Sequence, residues 1–357
     1  MAGVAARSTR ADWRVALVIP LQGPAGLFGP SCEAIAELAA RELNAEGGIL
    51  GREVTFEVVD GGGAPAEVAA ELRGLVDAGQ VDAVTGWHIS SVRNAIAPVV
   101  AGRLPYVYTS LYEGGERRPG IFCSGETPRL QLAPALKWLR DNVGARDWFV
   151  VGDDYVWPHT SAAAVRHYAR RLDLRIVGEA FVGLGSGATA PLIDQVERAS
   201  CDGVLMLLVG QDAVEFNRRF AARGLHERLV RFSPLMEENM LLASGFRATR
   251  NLFVSAAYFR SMVGADAMDL LGRYTGLHGP DAPALNNAAE SCYEGLRTLA
   301  SLVRRAGTTR LPELNAAIDG VAYHGPRGTV EFRGQQAEQR VHLAVADGYD
   351  FDVITRL

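Results

Sequence analysis

The sequence predicts an α/β protein of two lobes, each a mostly parallel sheet flanked by helices. Three observations predict it. Short apolar runs alternate with amphipathic stretches from residue 14 to residue 100, which is the strand–helix alternation of a parallel sheet. The same alternation restarts near Cys123 and runs to residue 256. The length, 357 residues, suits two units that each bury a core of their own.

In chain order, residues 14–20 are nearly all apolar, as in a strand buried on both faces. Residues 21–29 form a Gly-rich loop. Pro30 and Ser31 then open a helix that aligns Ile35, Leu38, Ala39 and Leu43, and Gly47-Gly48 ends it. Val54, Phe56 and Val58 alternate along a second strand closed by Asp60. A helix over 66–78, a strand over 81–85, a helix over 92–100 and a strand over 104–108 follow. In the second half, helices are predicted over 130–141, 160–172, 192–199 and 213–223. Strands are predicted over 148–151, 174–182, 203–209, 229–232 and 252–256. Two long helices come next, near 262–274 and 284–306. The segments 329–332, 341–346 and 352–355 read as a closing antiparallel unit, the last two joined around Asp347-Gly-Tyr-Asp350.

Composition excludes several classes of function. The net charge of −5 gives no footprint for direct nucleic-acid binding. Lys137 is the one lysine among 36 Lys and Arg, and the Gly-Lys-Ser/Thr of a phosphate loop is missing. The four cysteines, Cys32, Cys123, Cys201 and Cys292, lack metal or dithiol spacing and read as reduced. Gly183-Leu-Gly-Ser-Gly-Ala188 fits a dinucleotide fingerprint in letters only. It lies mid-chain, and no acid ends the next strand, so it is expected to be a plain loop. Neither a nucleophile elbow nor a zinc-protease motif occurs, so no enzyme, cofactor or metal is expected. Residues 1–12 carry no apolar export segment. As written the chain reads as cytoplasmic, or as periplasmic or extracellular if a leader has been removed.

The stretch 84–115 is where a binding site is expected. Two successive strand ends there carry hydroxyls, free amides and rings: Trp87, His88 and Ser90 after the first, Thr109, Ser110 and Tyr112 after the second, with Tyr108 ending it. Ser90 or Ser91 is expected to cap the next helix. Solutes settle beyond the carboxyl ends of strands in open α/β sheets. In the second half, Gly152-Asp-Asp-Tyr-Val-Trp-Pro-His159 repeats the pattern with Tyr155 and Trp157. Hydroxyls and amides satisfy a small polar solute without charge, and the rings exclude water.

The words IPLQGPAGLFG and LNAEGGILGREVTFEVVD, in this order and context, resemble the type 1 periplasmic-binding-protein family, branched-chain amino-acid/amide branch. TGWHISSVRNAIAPVV, YTSLYEGGERRPGIFCSGETPRLQLAPALKWL and VGDDYVWPHTS are similar, more narrowly, to the AmiC-type amide sensors of amidase operons. The resemblance implies the two-lobed fold of that family, with three hinge crossings. One lobe would hold 12–124 plus 256–325, and the other 125–255 plus 326–357. It implies that Ser90 and Ser110, the latter where the sensors carry threonine, hold an amide group. Tyr108 and Tyr155 match aromatic pocket residues. His88 and Trp157 stand where the sensors have tyrosine, and Trp87 replaces a small residue. In amino-acid binders of this family an acid of the second lobe meets the ligand ammonium, a part that Glu237 or Glu238 would take. The implied function is binding of a small amide, urea or amino acid by closure of the lobes, as a sensor. The alternative is the substrate-binding component of an ABC transporter. The implied partner is an antiterminator regulator or a permease, and a homo-oligomer is admitted.

Overall fold

A computed structural model describes residues 12–357. The expectation for the N-terminal leader lies outside the described residues, Asp12 apart. Two sheets organise the chain. In the first, β1 (Asp12–Ile19) lies between β2 (Glu53–Asp60) and β3 (Ala83–Gly86), with β4 (Tyr106–Tyr108) and β5 (Ile121–Cys123) beyond, all parallel. Helices α1 (Gly29–Ala45), α2 (Pro65–Asp77) and α3 (Ser90–Val100) make the crossovers. Val15, Ala16, Leu17, Val18 and Ile19 are all buried, as a central parallel strand covered on both faces requires. On the edge strand β2, Val54 and Val59 are buried while Val58 is exposed.

After α4 (Pro128–Asn142) the second sheet is built from β6 (Asp147–Asp153), β7 (Arg175–Val182), β8 (Gly203–Leu207), β9 (Val230–Ser233) and β10 (Leu252–Ala256). Its helices are α5 (Val156–Arg171), α6 (Ala190–Arg198), α7 (Gly210–Ala222) and the short α8 (Glu238–Ser244). The chain then returns to the first lobe with α9 (Ala265–His278), α10 (Asn287–Ala306) and α11 (Leu311–Ala317). The long α10 packs on α1, β3 and β4. The Asn286 side chain caps it by accepting the Ala289 amide.

The last part of the chain differs from expectation. The strands β11 (Ala322–Gly325), β12 (Gly328–Arg333) and β13 (Gln336–Glu338) belong to the first sheet, where β13 meets β5 at Gln336 and Cys123. Only β14 (His342–Asp347) and β15 (Asp350–Arg356), an antiparallel pair, enter the second sheet beside β10. The third crossing therefore falls between Glu338 and His342, not at 325/326. Val330, Phe332 and Ala337 are buried in the first lobe, and Arg327 in the β11–β12 turn pairs with Glu290 of α10. Those apolar and ionic contacts hold the hairpin where it is.

The crossings are tied to one another. Glu126 Oε1 accepts the Ala257 amide (2.8 Å) and the Asn287 side-chain amide (3.2 Å). Gln339 accepts from Arg327 (2.9 Å) and donates to the Ser124 carbonyl (2.8 Å). Among the described residues, no helix is long and apolar enough to cross a membrane.

Candidate functional site

The carboxyl ends of the strands of both sheets face one cleft, and the lobes meet across it. The Gln211 amide donates to the Pro24 carbonyl at 2.9 Å, and the Asn239 side chain donates to the Leu27 carbonyl at 2.7 Å. On the other flank α3 packs against α5. This is a closed arrangement.

On the first lobe the chain leaves β3 through Gly86. A Cβ there would stand 2.2 Å from the Val18 carbonyl oxygen, and its φ is +133°, so only glycine fits. The following residues are locked to the next strand. Ser110 Oγ donates to the His88 carbonyl (2.7 Å) and accepts the His88 amide (2.9 Å). The Tyr108 hydroxyl donates to the same carbonyl at 2.8 Å. Trp87 is buried and meets Phe28 edge-on, with centroids 4.7 Å apart.

The imidazole of His88 turns inward. Its Nδ1 donates to the Val18 carbonyl (3.0 Å) and its Nε2 accepts from the Tyr106 hydroxyl (2.6 Å). Burial lowers its pKa to about 4, with Arg93 adding to the effect, so the ring is neutral. Both ring nitrogens are engaged inside the lobe.

Ser90 behaves differently from its expected role as a cap. The N-cap of α3 is Ile89, and no side chain caps the helix. Ser90 occupies the first helical position, buried, next to the Tyr108 phenol. Its Oγ makes no hydrogen bond of good geometry among the described residues, since the Tyr108 hydroxyl beside it donates to the His88 carbonyl instead. Burial pushes the Tyr108 phenol up.

Tyr112 stands edge-on to Tyr108 at 5.8 Å and donates to Gln336 Oε1 at 2.5 Å. Behind these rings lies Arg93, its guanidinium 4.8 Å from the Tyr112 centroid and 5.4 Å from that of Tyr108. Glu113 and Glu116 neutralise it.

On the second lobe Tyr155 precedes α5 and Trp157 lies in its first turn, the two rings 6.3 Å apart. The expected loop over 152–159 is thus shorter than read. Burial raises the Tyr155 phenol, helped by Asp153 of its own lobe and by Tyr108 and Glu113 of the other. The two phenols thus lie within electrostatic range of each other from opposite lobes.

One carboxylate oxygen of each acid, Glu237 and Glu238, is engaged by a backbone amide. Glu237 Oε2 accepts the Asn287 amide at the start of α10 (2.8 Å), and Glu238 Oε1 accepts the Arg260 amide (2.8 Å). Each ties the second lobe to segments that follow the second crossing. Burial pushes Glu237 well up and Glu238 up to about 7.

One acid escaped the sequence reading. Asp153 ends β6 fully buried, its Oδ2 accepting the Val209 amide at 2.7 Å and its carboxyl beside that of Asp212. Burial first, then the neighbouring Asp212, raise it to about 9. The available signal was an acid closing the apolar run Trp148-Phe-Val-Val-Gly. Among the described residues no group of three or more His, Cys, Asp or Glu is placed to hold a metal ion.

Comparison with known proteins agrees with this geometry. Residues 12–350 match the family described as "Periplasmic binding protein". A Leu/Ile/Val-binding protein, BraC3, from Rhizobium johnstonii is 30% identical over 105 residues, 29% of this chain and 25% of that protein. The match thus spans a quarter of that relative's length.

Two solved structures share the fold over nearly the whole chain. One is a solute-binding protein of an ABC transporter from Rhodopseudomonas palustris HaA2, in complex with p-hydroxybenzoic acid. Its TM-score is 0.87 at 18% identity, with 97% of each chain covered. The other is the branched-chain amino acid transporter substrate-binding protein LivJ from Streptococcus pneumoniae, in complex with isoleucine. Its TM-score is 0.83 at 16% identity, with 96% of this chain and 99% of that one covered. With its two lobes, three crossings and interlobe cleft, the chain belongs to the periplasmic binding protein family, whose members bind solutes and catalyse no reaction.

Proposed function

We propose that this chain is the solute-binding component of an ABC-type uptake system, working outside the cytoplasmic membrane with a permease as its partner. Its solute has an apolar, aromatic or branched body and a carboxylate or amide head. The observation that carries the reading is the Ser90 hydroxyl, buried and unpartnered in the first turn of α3. A hydroxyl in that state is costly unless something bonds it, and a helix N-terminus favours an anionic or carbonyl oxygen beside it. Trp87, Tyr108, Tyr112, Tyr155 and Trp157 supply the apolar walls. Ser110 is a weaker candidate for direct contact, because its hydroxyl already bridges His88. His88, Glu237 and Glu238 act as supports.

The solutes of the two similar structures, p-hydroxybenzoic acid and isoleucine, share a carboxylate on an apolar body. Glu237 and Glu238 each hold a backbone amide with one oxygen, so the panel includes solutes with and without an ammonium group. An uncharged amide suits the same groups, since Arg93 is already neutralised by Glu113 and Glu116. A thermal-shift panel of benzoate, 4-hydroxybenzoate, leucine, isoleucine, acetamide, butyramide and urea tests the reading. A true solute at 100 times its dissociation constant adds about 2.7 kcal/mol of stability. A response to carboxylates supports the transport component, and a response to amides alone turns the reading to a sensor. Silence across the panel removes its basis.

A further inference from the structure

Two Gly-rich loops singled out in the sequence, 21–29 and 183–188, take no part in the proposed solute contacts, yet they meet. The first is pinned by Asp60 at the end of β2, whose carboxylate accepts the Leu21 amide (2.8 Å), the Gly62 amide (2.8 Å) and the Gln22 side chain (2.6 Å). The second is pinned by Asp212 in the first turn of α7, which accepts the Gly185 amide (2.5 Å) and the Gly187 amide (3.0 Å). Each lobe thus holds a glycine loop rigid with one carboxylate.

The loops touch at Pro24. Its carbonyl accepts the Gln211 amide from the opposite lobe. A Cβ on Gly210 would stand 2.0 Å from the Pro24 carbonyl oxygen and 3.0 Å from Leu27 Cδ2, and one on Gly185 would stand 3.3 Å from Pro24 Cγ.

We infer that Pro24 and Gly210 form an interlobe clasp: the Pro24 carbonyl of one lobe seats on the glycine that opens α7 in the other, and this seat sets how much of the chain is closed. The nearest atoms that bar a side chain at Gly210 belong to the other lobe, so glycine is required there by closure. Its φ of +50° also favours glycine, through a local strain that a single residue in that region can bear. Gly224 separates the two causes. Its φ is +69°, and a Cβ there meets nothing within 4 Å among the described residues. A second bond across the same rim, from Asn239 to the Leu27 carbonyl, belongs to the clasp. The link from closure to solute affinity rests on the function proposed above, whereas the clasp itself does not.

The test is a cross-link in the full chain. A Cβ on Gly185 would lie 3.7 Å from Pro24 Cβ, inside the range of roughly 3.5–4.5 Å that a disulfide spans. The pair Pro24→Cys with Gly185→Cys is oxidised with a fixed concentration of oxidised glutathione, and its rate is read on non-reducing gels. The rate is compared in four backgrounds, otherwise native, Gly210→Ala, Gly224→Ala and Asn239→Ala, each checked for folding by circular dichroism.

The clasp predicts cross-linking about fivefold or more slower with Gly210→Ala, the fold-change that corresponds to about 1 kcal/mol, the lower end of the cost of overpacking. It predicts slower cross-linking with Asn239→Ala and no change with Gly224→Ala. Equal rates for Gly210→Ala and Gly224→Ala overturn it. If Gly210→Ala does not fold, an unchanged rate for Asn239→Ala overturns it. Repeating the native and Gly210→Ala reactions with benzoate, 4-hydroxybenzoate and isoleucine separates the two readings. Slowing by Gly210→Ala with no acceleration by any solute supports the clasp and counts against solute-linked closure.

Discussion

The Ser90 hydroxyl sits where a capping oxygen is usually sought, yet it bonds no amide of its helix. Two effects of Ser90→Ala follow. Losing a true cap costs about 1 kcal/mol, whereas losing an unpartnered hydroxyl leaves stability within about 0.5 kcal/mol, a difference that urea denaturation resolves. Affinity for a panel solute falls by about five- to tenfold, the effect of one hydrogen bond, as isothermal titration reads it. Arg327 is the opposite case. It is buried, and Glu290 takes its guanidinium at 2.7 Å through Nε. Arg327→Met leaves that carboxylate buried without its cation, at an expected cost of about 3–5 kcal/mol in the same denaturation experiment. At this scale the sequence was only partly legible. Ser90, Tyr108 and Tyr155 were marked by type and by their place at strand ends. The inward turn of His88 was not, because it depends on Val18 and Tyr106, whose distance from it in the chain hides the contact.

Elements were more legible than side chains, since period and punctuation are local. The strands of β1, β8 and β10 and the helices α1, α7 and α10 follow from apolar runs, Pro and Gly. What escaped was short or set by pairing. The three-residue strands β5 and β13 exist because each finds a partner in the first sheet, and α8 spans one loop after β9. The strands β12 and β13 were assigned to the wrong lobe for the same reason, as alternation says which face is buried but not against which sheet. Loop 183–188 has two amides held by Asp212, those of Gly185 and Gly187, two residues apart in the chain. Asp212→Ala is therefore expected to speed hydrogen exchange at Gly185 and Gly187 by about tenfold or more, leaving β8 protected. Exchange followed by mass spectrometry checks it, and unchanged protection in the loop would show that other contacts hold it.

Across the whole molecule, buried acids make stability depend on pH. Asp153 is raised from 3.8 to about 9 by burial and by Asp212. The folded chain keeps a proton that the unfolded chain releases, so this part of the stability falls as pH rises from about 4 and levels off above about 9. His88, lowered to about 4, acts with the opposite sign, but its part is complete once pH exceeds the ordinary histidine value of 6.5. Between pH 7 and 9 stability should therefore decline, and Asp153→Asn should reduce the slope. A flat profile for the native chain in that window would show Asp153 to be ionised in the fold. The same scale holds the central claim, that two lobes close over one solute at the start of α3. A crystal structure with the strongest binder of the panel tests it most directly. The account predicts the solute head within hydrogen-bond distance of Ser90 Oγ and its body between Tyr108 and Tyr155. A solute bound outside the interlobe cleft, or touching one lobe alone, would contradict it.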